Sequence, residues 1–374
     1  MSHTVEYAPQ ESILNGSAVT SPRSDQTIQV QVIDPLVCPA QWDEITAAFA
    51  DCHVFHGAAW ARVLSHSYSH RPFYVTALDA DLPMAAVPVM EVTSRLTGKR
   101  AVSIPFSDFC SPLFSSKAAL EAAISYLLEM GCSRGWSSLH LHGSYQSPIP
   151  GASVANATFY SHVLDLRSSE AGLFAQCQPS VRRAIRKAEK LDMSVEHAAS
   201  REALLTFYRL HCRTRRRHGL PPQPWKFFNS IHREFILPGN GSVFVAKKGS
   251  QTVAAAVFLT SRDKVLYKFA ASDARFQELR ANNLLIWEAI RFYASQGAQT
   301  LHFGRTDLTD PGLRRFKLGW GSKEELLQYN RFDFSRHRWS PERPARRGIH
   351  NSAFRRMPLI VNRLAGAMIY PHLD

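Results

Sequence analysis

None of the six cysteines (Cys38, Cys52, Cys110, Cys132, Cys177 and Cys212) forms a C-x-x-C pair with another. That scatter argues against a zinc knuckle or a disulfide framework and suits a reducing cytosol. No uninterrupted apolar run approaches the ~20 residues that a membrane-crossing helix needs. Residues 1–27 are polar and rich in Ser and Thr, without the apolar segment of a secretory signal, so they are expected to form a disordered tail. The reading is a cytoplasmic protein, at most peripheral at the inner membrane surface. Several enzyme signatures are missing as well: no H-E-x-x-H, no P-loop and no kinase catalytic loop. Acids are scarce, with 31 Asp and Glu against 44 Lys and Arg, a net charge of +13 and a pI near 9.7. Such a surplus predicts a polyanionic partner: nucleic acid, a phosphorylated substrate or an anionic membrane surface.

What is present is enough chain for two domains, at 374 residues of ordinary apolar content. The order of elements points to duplication. Phe73–Val89 aligns without a gap on Val243–Leu259, an offset of 170. Ala85-Ala86-Val87 then falls on Ala255-Ala256-Val257, and both stretches read as strand, turn, strand. Leu139-His140-Leu141 is echoed by Leu301-His302-Phe303, each after a helix expected to end near a glycine, Gly131 and Gly297.

The basic residues gather in three zones. Val181, Ile185, Ala188 and Leu191 make an apolar stripe on a helix otherwise loaded with Arg182, Arg183, Arg186, Lys187 and Lys190. A second helix is capped by Ser200 and turns Leu204, Phe207, Tyr208 and His211 inward. It carries Arg213, Arg215, Arg216 and Arg217 to a stop at Gly219. From Ser335 to Asp374 eight arginines face two acids, and Met357–Tyr370 reads as a short apolar helix. That helix either docks on the N-terminal unit or lies against an anionic membrane.

The block Tyr267–Trp320 holds the chemistry. A strand over Lys264–Ala271 leads through a polar turn into a helix carrying Ile286, Ala289, Ile290, Tyr293 and Ala294 at helical spacing. Gly297 ends it, a short strand Thr300–Phe303 follows, and Gly304-Arg305-Thr306 leaves that strand. Basic and aromatic residues thus converge at a helix N-terminus, an arrangement suited to an anionic group. Sixteen histidines include the pair His140/His142 on one strand face, but no Cys, Asp or Glu stands near them in sequence and no metal ion is expected.

Tyr267, Asn282-Asn283-Leu284-Leu285-Ile286-Trp287, Gly304-Arg305, Gly312-Leu313, Phe316-Lys317 and Trp320-Gly321 resemble the GNAT acyltransferase superfamily. The similarity is to its branch of FemA/FemB/FemX-type aminoacyl transferases and BioF2-like acetyltransferase domains. Ser180–Glu189 and Arg216–Pro224 resemble that branch too, so the likeness covers about 180–334 and, more weakly, 55–142. It implies an α/β (α+β) fold of two tandem GNAT-like units, each a mixed, mostly antiparallel sheet flanked by helices. The expected layout is a tail at 1–27, an N-terminal unit at 28–165, a basic helical connector at 166–240, a C-terminal unit at 241–334 and a basic tail at 335–374.

The reaction so implied is direct attack of an amine on a thioester or ester, which needs none of the missing motifs. The matching Phe-Lys pair of the family is associated with stabilising the tetrahedral intermediate, so Phe316, Lys317 and Arg305 are the catalytic candidates. Independently, a fixed cation in a partly dry cleft stabilises an oxyanion more than a neutral ground state. Arg183, Lys187, Arg216, Tyr267, Asn283 and Trp320 are candidate substrate contacts. GNAT acetyltransferases bring a Q-x-x-G-x-G/A turn to the coenzyme A pyrophosphate; here Gln277 fits, while Arg280 and Asn282 replace both glycines. That change weighs against a coenzyme A donor and toward aminoacyl-tRNA. No tightly bound cofactor is expected, only an anionic donor substrate, acyl-CoA or aminoacyl-tRNA. The resemblance further implies a phosphorylated or lipid-linked acceptor, a peptidoglycan or exopolysaccharide precursor of the cell envelope. Two alternatives stand beside it: a coenzyme-A-dependent N-acetyltransferase of a small amine or amino sugar, and a non-catalytic polyanion-binding protein.

Overall fold

The computed structural model describes residues 28–144, 148–152, 155–341 and 350–373. The expectation for 1–27 lies outside them. The first half runs β1 (Gln29–Ile33), α1 (Pro39–Ala47), α2 (Ala58–Tyr68), β2 (Arg71–Pro72), β3 (Tyr74–Asp79), β4 (Leu82–Val87), β5 (Met90–Ser94), β6 (Gly98–Val102), β7 (Leu113–Phe114), α3 (Lys117–Arg134), β8 (Ser138–Ser144) and β9 (Ala157–Asp165). Next come α4 (Glu170–Gln176), α5 (Pro179–Lys190), β10 (Met193–Ala198), α6 (Arg201–Arg217) and α7 (Trp225–Ile231). The second half follows as β11 (Gly241–Lys248), β12 (Gln251–Ser261), β13 (Lys264–Ser272), α8 (Ala281–Ser295), β14 (Thr300–Asp307), α9 (Pro311–Leu318), β15 (Lys323–Asp333), β16 (Arg338–Ser340), α10 (His350–Arg356) and α11 (Leu359–Ile369).

Both stretches of the proposed repeat are antiparallel hairpins, β3–β4 and β11–β12. The gapless offset slips by one residue at the turn, because Asp79 pairs with Leu82 whereas Lys248 pairs with Gln251. A register shift sits just before each turn, at Ala77/Leu78 and Ala246/Lys247. The two hairpins thus share the irregularity, set one residue earlier in the second relative to the offset.

The halves are interleaved rather than set side by side. One sheet takes β1-β3-β4-β7, and a second runs β10-β11-β12-β13-β14-β9-β15-β8-β6-β5-β2. In it β9, from the first half, lies between β14 and β15, and β15 reaches across to β8. One hydrophobic core likewise joins Trp42, Phe55 and Trp60 to Phe207, Phe227, Phe228 and Leu259. Burying aromatic side chains of this size contributes several kcal/mol each, about 3–5 on truncation to Ala, so the shared core holds the halves in fixed relation.

Local signals of the connector hold. Ser200 Oγ accepts from the Ala203 N–H at 3.1 Å to cap α6, and Leu204, Phe207, Tyr208 and His211 are buried. Val181, Ile185 and Ala188 form the buried stripe of α5. The helix-ending role given to Gly131 is corrected: α3 runs on to Arg134 and ends at Gly135, whose φ is +68°. Gly131 is instead a notch for Phe334, since a Cβ there would lie 2.0 Å from Phe334 Cζ. The C-terminal helix docks on the protein through one side: a Cβ on Gly366 would meet the Pro222 carbonyl oxygen at 2.0 Å. Beyond it the Tyr370 hydroxyl accepts from Arg215 Nη2 at 2.8 Å. Among the described residues no helix is long and apolar enough to cross a membrane.

Candidate active site

Strands β13 and β14 pair in parallel over only Lys264–Leu266 and Thr300–His302. Beyond that point β13 stays with β12, while β14 stays with β9, so the two splay apart. The strand expected to end at Phe303 runs on to Asp307 through a break in its pairing with β9 between His302 and Arg305. Gly304 makes this bulge possible. Its φ is +71°, where side chains are strained, and a Cβ would lie 3.3 Å from Asp108 Cγ.

Two side chains satisfy the bulge and a third faces it. His302 Nδ1 accepts the Gly304 N–H at 2.8 Å, which leaves its proton on Nε2 to donate to Ser161 Oγ at 2.8 Å. Burial holds this imidazole neutral, with a pKa of about 3. Lys317 Nζ donates to the carbonyls of Gly304 and Arg305, both at 2.9 Å, and the residue is only 4% exposed. Burial brings its ammonium down to about 8, against the opposing pull of Asp108 and Asp310. Asp108, from the loop after β6, faces the bulge and pairs with Lys268 Nζ at 2.8 Å. Burial pushes the Asp108 carboxyl up, but Lys268 outweighs it and holds the group below the usual carboxylate range.

A cavity of about 680 Å³ opens on this side of the splay, and Asp108 is the one carboxylate among its lining residues. Arg215, Lys268, Arg305, His140, His142, Tyr329 and Tyr370 line it too. The Tyr329 hydroxyl donates to the Asp108 carbonyl at 2.9 Å and accepts from Arg305 Nη1 at 2.8 Å. His142 stacks on the Tyr329 ring at 3.8 Å. The cavity is therefore cationic at its walls with a single anionic point, which suits an acceptor carrying both phosphate and ammonium.

A second groove lies at the start of α8. It comprises two hollows of about 220 and 550 Å³ that share Arg280, Asn283 and Phe316. Gln277, Asn282 and Arg217 line the first hollow, and Arg183, Lys187 and Arg315 the second. Arg280 keeps the left-handed conformation of the glycine it replaces, at φ 56° and ψ 28°, and α8 has no side-chain cap. The start of α8 thus lines the groove along with five basic side chains, an arrangement suited to an anionic ligand.

The expected site residues divide accordingly. Gln277, Arg280, Asn282, Asn283, Arg183, Lys187 and Phe316 meet in the groove at the start of α8, and Arg305 lines the cavity beside Asp108. Lys317, one residue on from Phe316, turns away from the groove into the bulge. Trp320 is fully buried, packed near Phe303 and Phe316, and Tyr267 packs on Phe258 and Phe303; the structure gives both to the core rather than to a substrate surface. Arg216 lines neither opening. Its neighbours do, Arg215 the cavity and Arg217 the α8 groove, because residues two apart point to nearly opposite sides of a helix. Asp108 and Lys268 went unread in the sequence. The signal for Lys268 was the period of two, which sets it on the strand face opposite Tyr267; for Asp108 it was a lone acid in the aromatic loop SIPFSDF of a basic chain. His140 and His142 line the cavity, and among the described residues no group of three His, Cys, Asp or Glu could hold a metal ion.

Residues 175–322 match the family model described as an acetyltransferase (GNAT) domain, a segment that contains α5, the splayed strands, the α8 groove and α9. That segment is accordingly similar to GNAT acetyltransferase domains. No curated protein sequence matches it. Among solved structures it is similar to FemX, with a TM-score of 0.63 and 13% identity over 80% of this chain and 96% of that one. It is similar also to L-PGS from Bacillus licheniformis, with a TM-score of 0.52 and 12% identity over 88% and 97%. A tandem GNAT protein from the clavulanic acid biosynthesis pathway aligns with a TM-score of 0.51 and 9% identity over 82% and 99%. At such identities the likeness is one of fold: two GNAT units in tandem.

Proposed function

We propose that the protein transfers an acyl or aminoacyl group from an anionic donor to an amine of a phosphorylated cell-envelope precursor, of peptidoglycan or exopolysaccharide type. The carrying observation is the placement of Asp108 as the one carboxylate of a cationic cavity, against a bulge that separates it from the basic donor groove. The donor's phosphates sit at the start of α8 among Arg183, Lys187 and Arg280, and its carbonyl enters the splay between β13 and β14. Asp108 receives the acceptor ammonium, while Arg215 and Lys268 face its phosphate. Once a proton is lost to Asp108 or water, the amine nitrogen attacks the carbonyl carbon. The C–N bond forms, the oxyanion gathers charge opposite Arg305, and its collapse expels the thiolate or the tRNA ribose oxygen, which takes up a proton. Fold likeness to FemX and to L-PGS supports an envelope acceptor.

A second reading, a coenzyme-A-dependent N-acetyltransferase of a small amine or amino sugar, is favoured by one feature. Arg280 preserves the backbone conformation that a glycine would supply at the pyrophosphate turn. Incubation with labelled acetyl-CoA and, separately, with charged tRNA, each with a lipid-linked acceptor or a small amine, distinguishes the two. Transfer to the lipid-linked acceptor from either donor upholds the first reading, and transfer from acetyl-CoA to the small amine alone upholds the second. Transfer from neither, with tRNA still bound, marks a polyanion-binding protein that has lost its chemistry.

A further inference from the structure

Helix α11 is oriented against the usual rule for a surface helix. Its docked side carries Asn362 and Gly366, both buried. Its outward side carries Ile360, Val361, Leu364 and Met368, which are 72, 46, 61 and 74% exposed. At about 100° per residue these four spread over roughly 100° of the helix surface. A helix on a water-facing surface turns such a stripe inward. Here it cannot rotate, because only a residue without a Cβ fits against the Pro222 carbonyl at position 366.

The surroundings of this stripe are cationic. Arg355 and Arg356 end α10 just before it, Arg363 borders it, and no acid occurs between His350 and Leu373. A second apolar side chain is tethered nearby in the chain's packing. Arg100 donates from Nη1 to Thr97 Oγ1 at 2.6 Å and from Nη2 to the His372 carbonyl at 3.0 Å. It thereby pins the β5–β6 turn, with Arg95 and the 79% exposed Leu96, to the end of the α11 segment.

We propose that α11 is a membrane-docking helix, which seats the protein on a bilayer bearing anionic lipid. Its apolar stripe enters the acyl boundary while Arg355, Arg356 and Arg363 contact lipid phosphates. Charge complementarity selects lipid over a second copy of the chain, since two copies would bring like charges together. Tyr370, directly after α11, lines the acceptor cavity, so docking brings that cavity to the lipid surface. The binding itself does not depend on the acyl-transfer reading, and it is measured without donor or acceptor.

The test is co-sedimentation of the full chain with vesicles of phosphatidylcholine alone or mixed with phosphatidylglycerol. Wild type is expected to pellet with the mixed vesicles and to stay largely soluble with the neutral ones. Leu364→Asp with Met368→Asp should weaken binding about tenfold or more with an unchanged melting temperature, since both side chains are exposed. Arg355→Ala with Arg356→Ala should reduce binding to mixed vesicles only. The proposal is overturned if wild type ignores the mixed vesicles or if the double Asp variant pellets equally well. It is overturned too by a wild-type dimer that the Asp variant dissociates without any vesicle binding, which would assign the stripe to a second copy.

Discussion

Lys317 Nζ holds the Gly304 carbonyl at 2.9 Å and the Arg305 carbonyl at the same distance, from inside the protein rather than from the groove. The bulge is thereby clamped by a cation it cannot replace locally. Lys317→Met strands two carbonyls, each worth about 1–3 kcal/mol when buried without a partner. Stability and kcat should fall together, kcat by about 10²-fold. Gly304→Ala should reproduce the loss while leaving the charge in place. Urea unfolding beside steady-state kinetics checks this: a Lys317→Met protein of wild-type stability but lowered kcat would return the lysine to direct oxyanion contact.

Asp108 and Lys268 form a pair whose side chains are 23% and 5% exposed. Breaking it from one side leaves an uncompensated buried charge, at a cost of about 3–5 kcal/mol. Asp108→Asn should therefore both destabilise the protein and raise KM for the amine. Combining it with Lys268→Met should restore most of the stability and none of the activity. Recovery of turnover in the double variant would remove Asp108 from the reaction.

Arg183 and Lys187 are exposed on the groove side of α5. Reversing both charges should weaken donor binding about tenfold at low salt, with the difference shrinking as salt rises. Melting should hardly move, because exposed charges contribute at most about 1 kcal/mol. Equal affinities across a salt titration would reduce this face of α5 to a solvated surface.

Burial lowers three histidines far below 6.5: His56 to about 4, His211 and His302 to about 3. Their depressed values mean that the unfolded chain takes up protons between pH 6.5 and 4 while the folded chain does not. Stability is therefore present above pH 6.5 and lost as pH falls, at up to about 1.4 kcal/mol per pH unit for each histidine. The depressed carboxyl of Asp108 adds a loss of the same sign at lower pH. Denaturant midpoints measured across this range should drop steeply, and His211→Gln should make the slope shallower. A flat profile would contradict neutral burial of these rings.

The sequence determined whatever rests on neighbours within a turn or two of chain. The Ser200 cap, the α5 and α6 stripes, the β3–β4 and β11–β12 hairpins and the apolar spacing of α8 were all legible there. Caps, periodicity and turn residues act over two to four positions, so their signal survives without tertiary context. Only the tertiary structure decided which of Gly131 and Gly135 ends α3, since the choice depends on Phe334 pressing into the first. It also decided that Lys268 rather than Tyr267 faces the cavity and that Lys317 turns inward while Phe316 lines the groove. Both faces of β13 are covered, so alternation alone cannot name the functional side. The meeting of Asp108 with Gly304, and the outward stripe of α11, follow from packing between segments far apart in the chain, which no local pattern encodes.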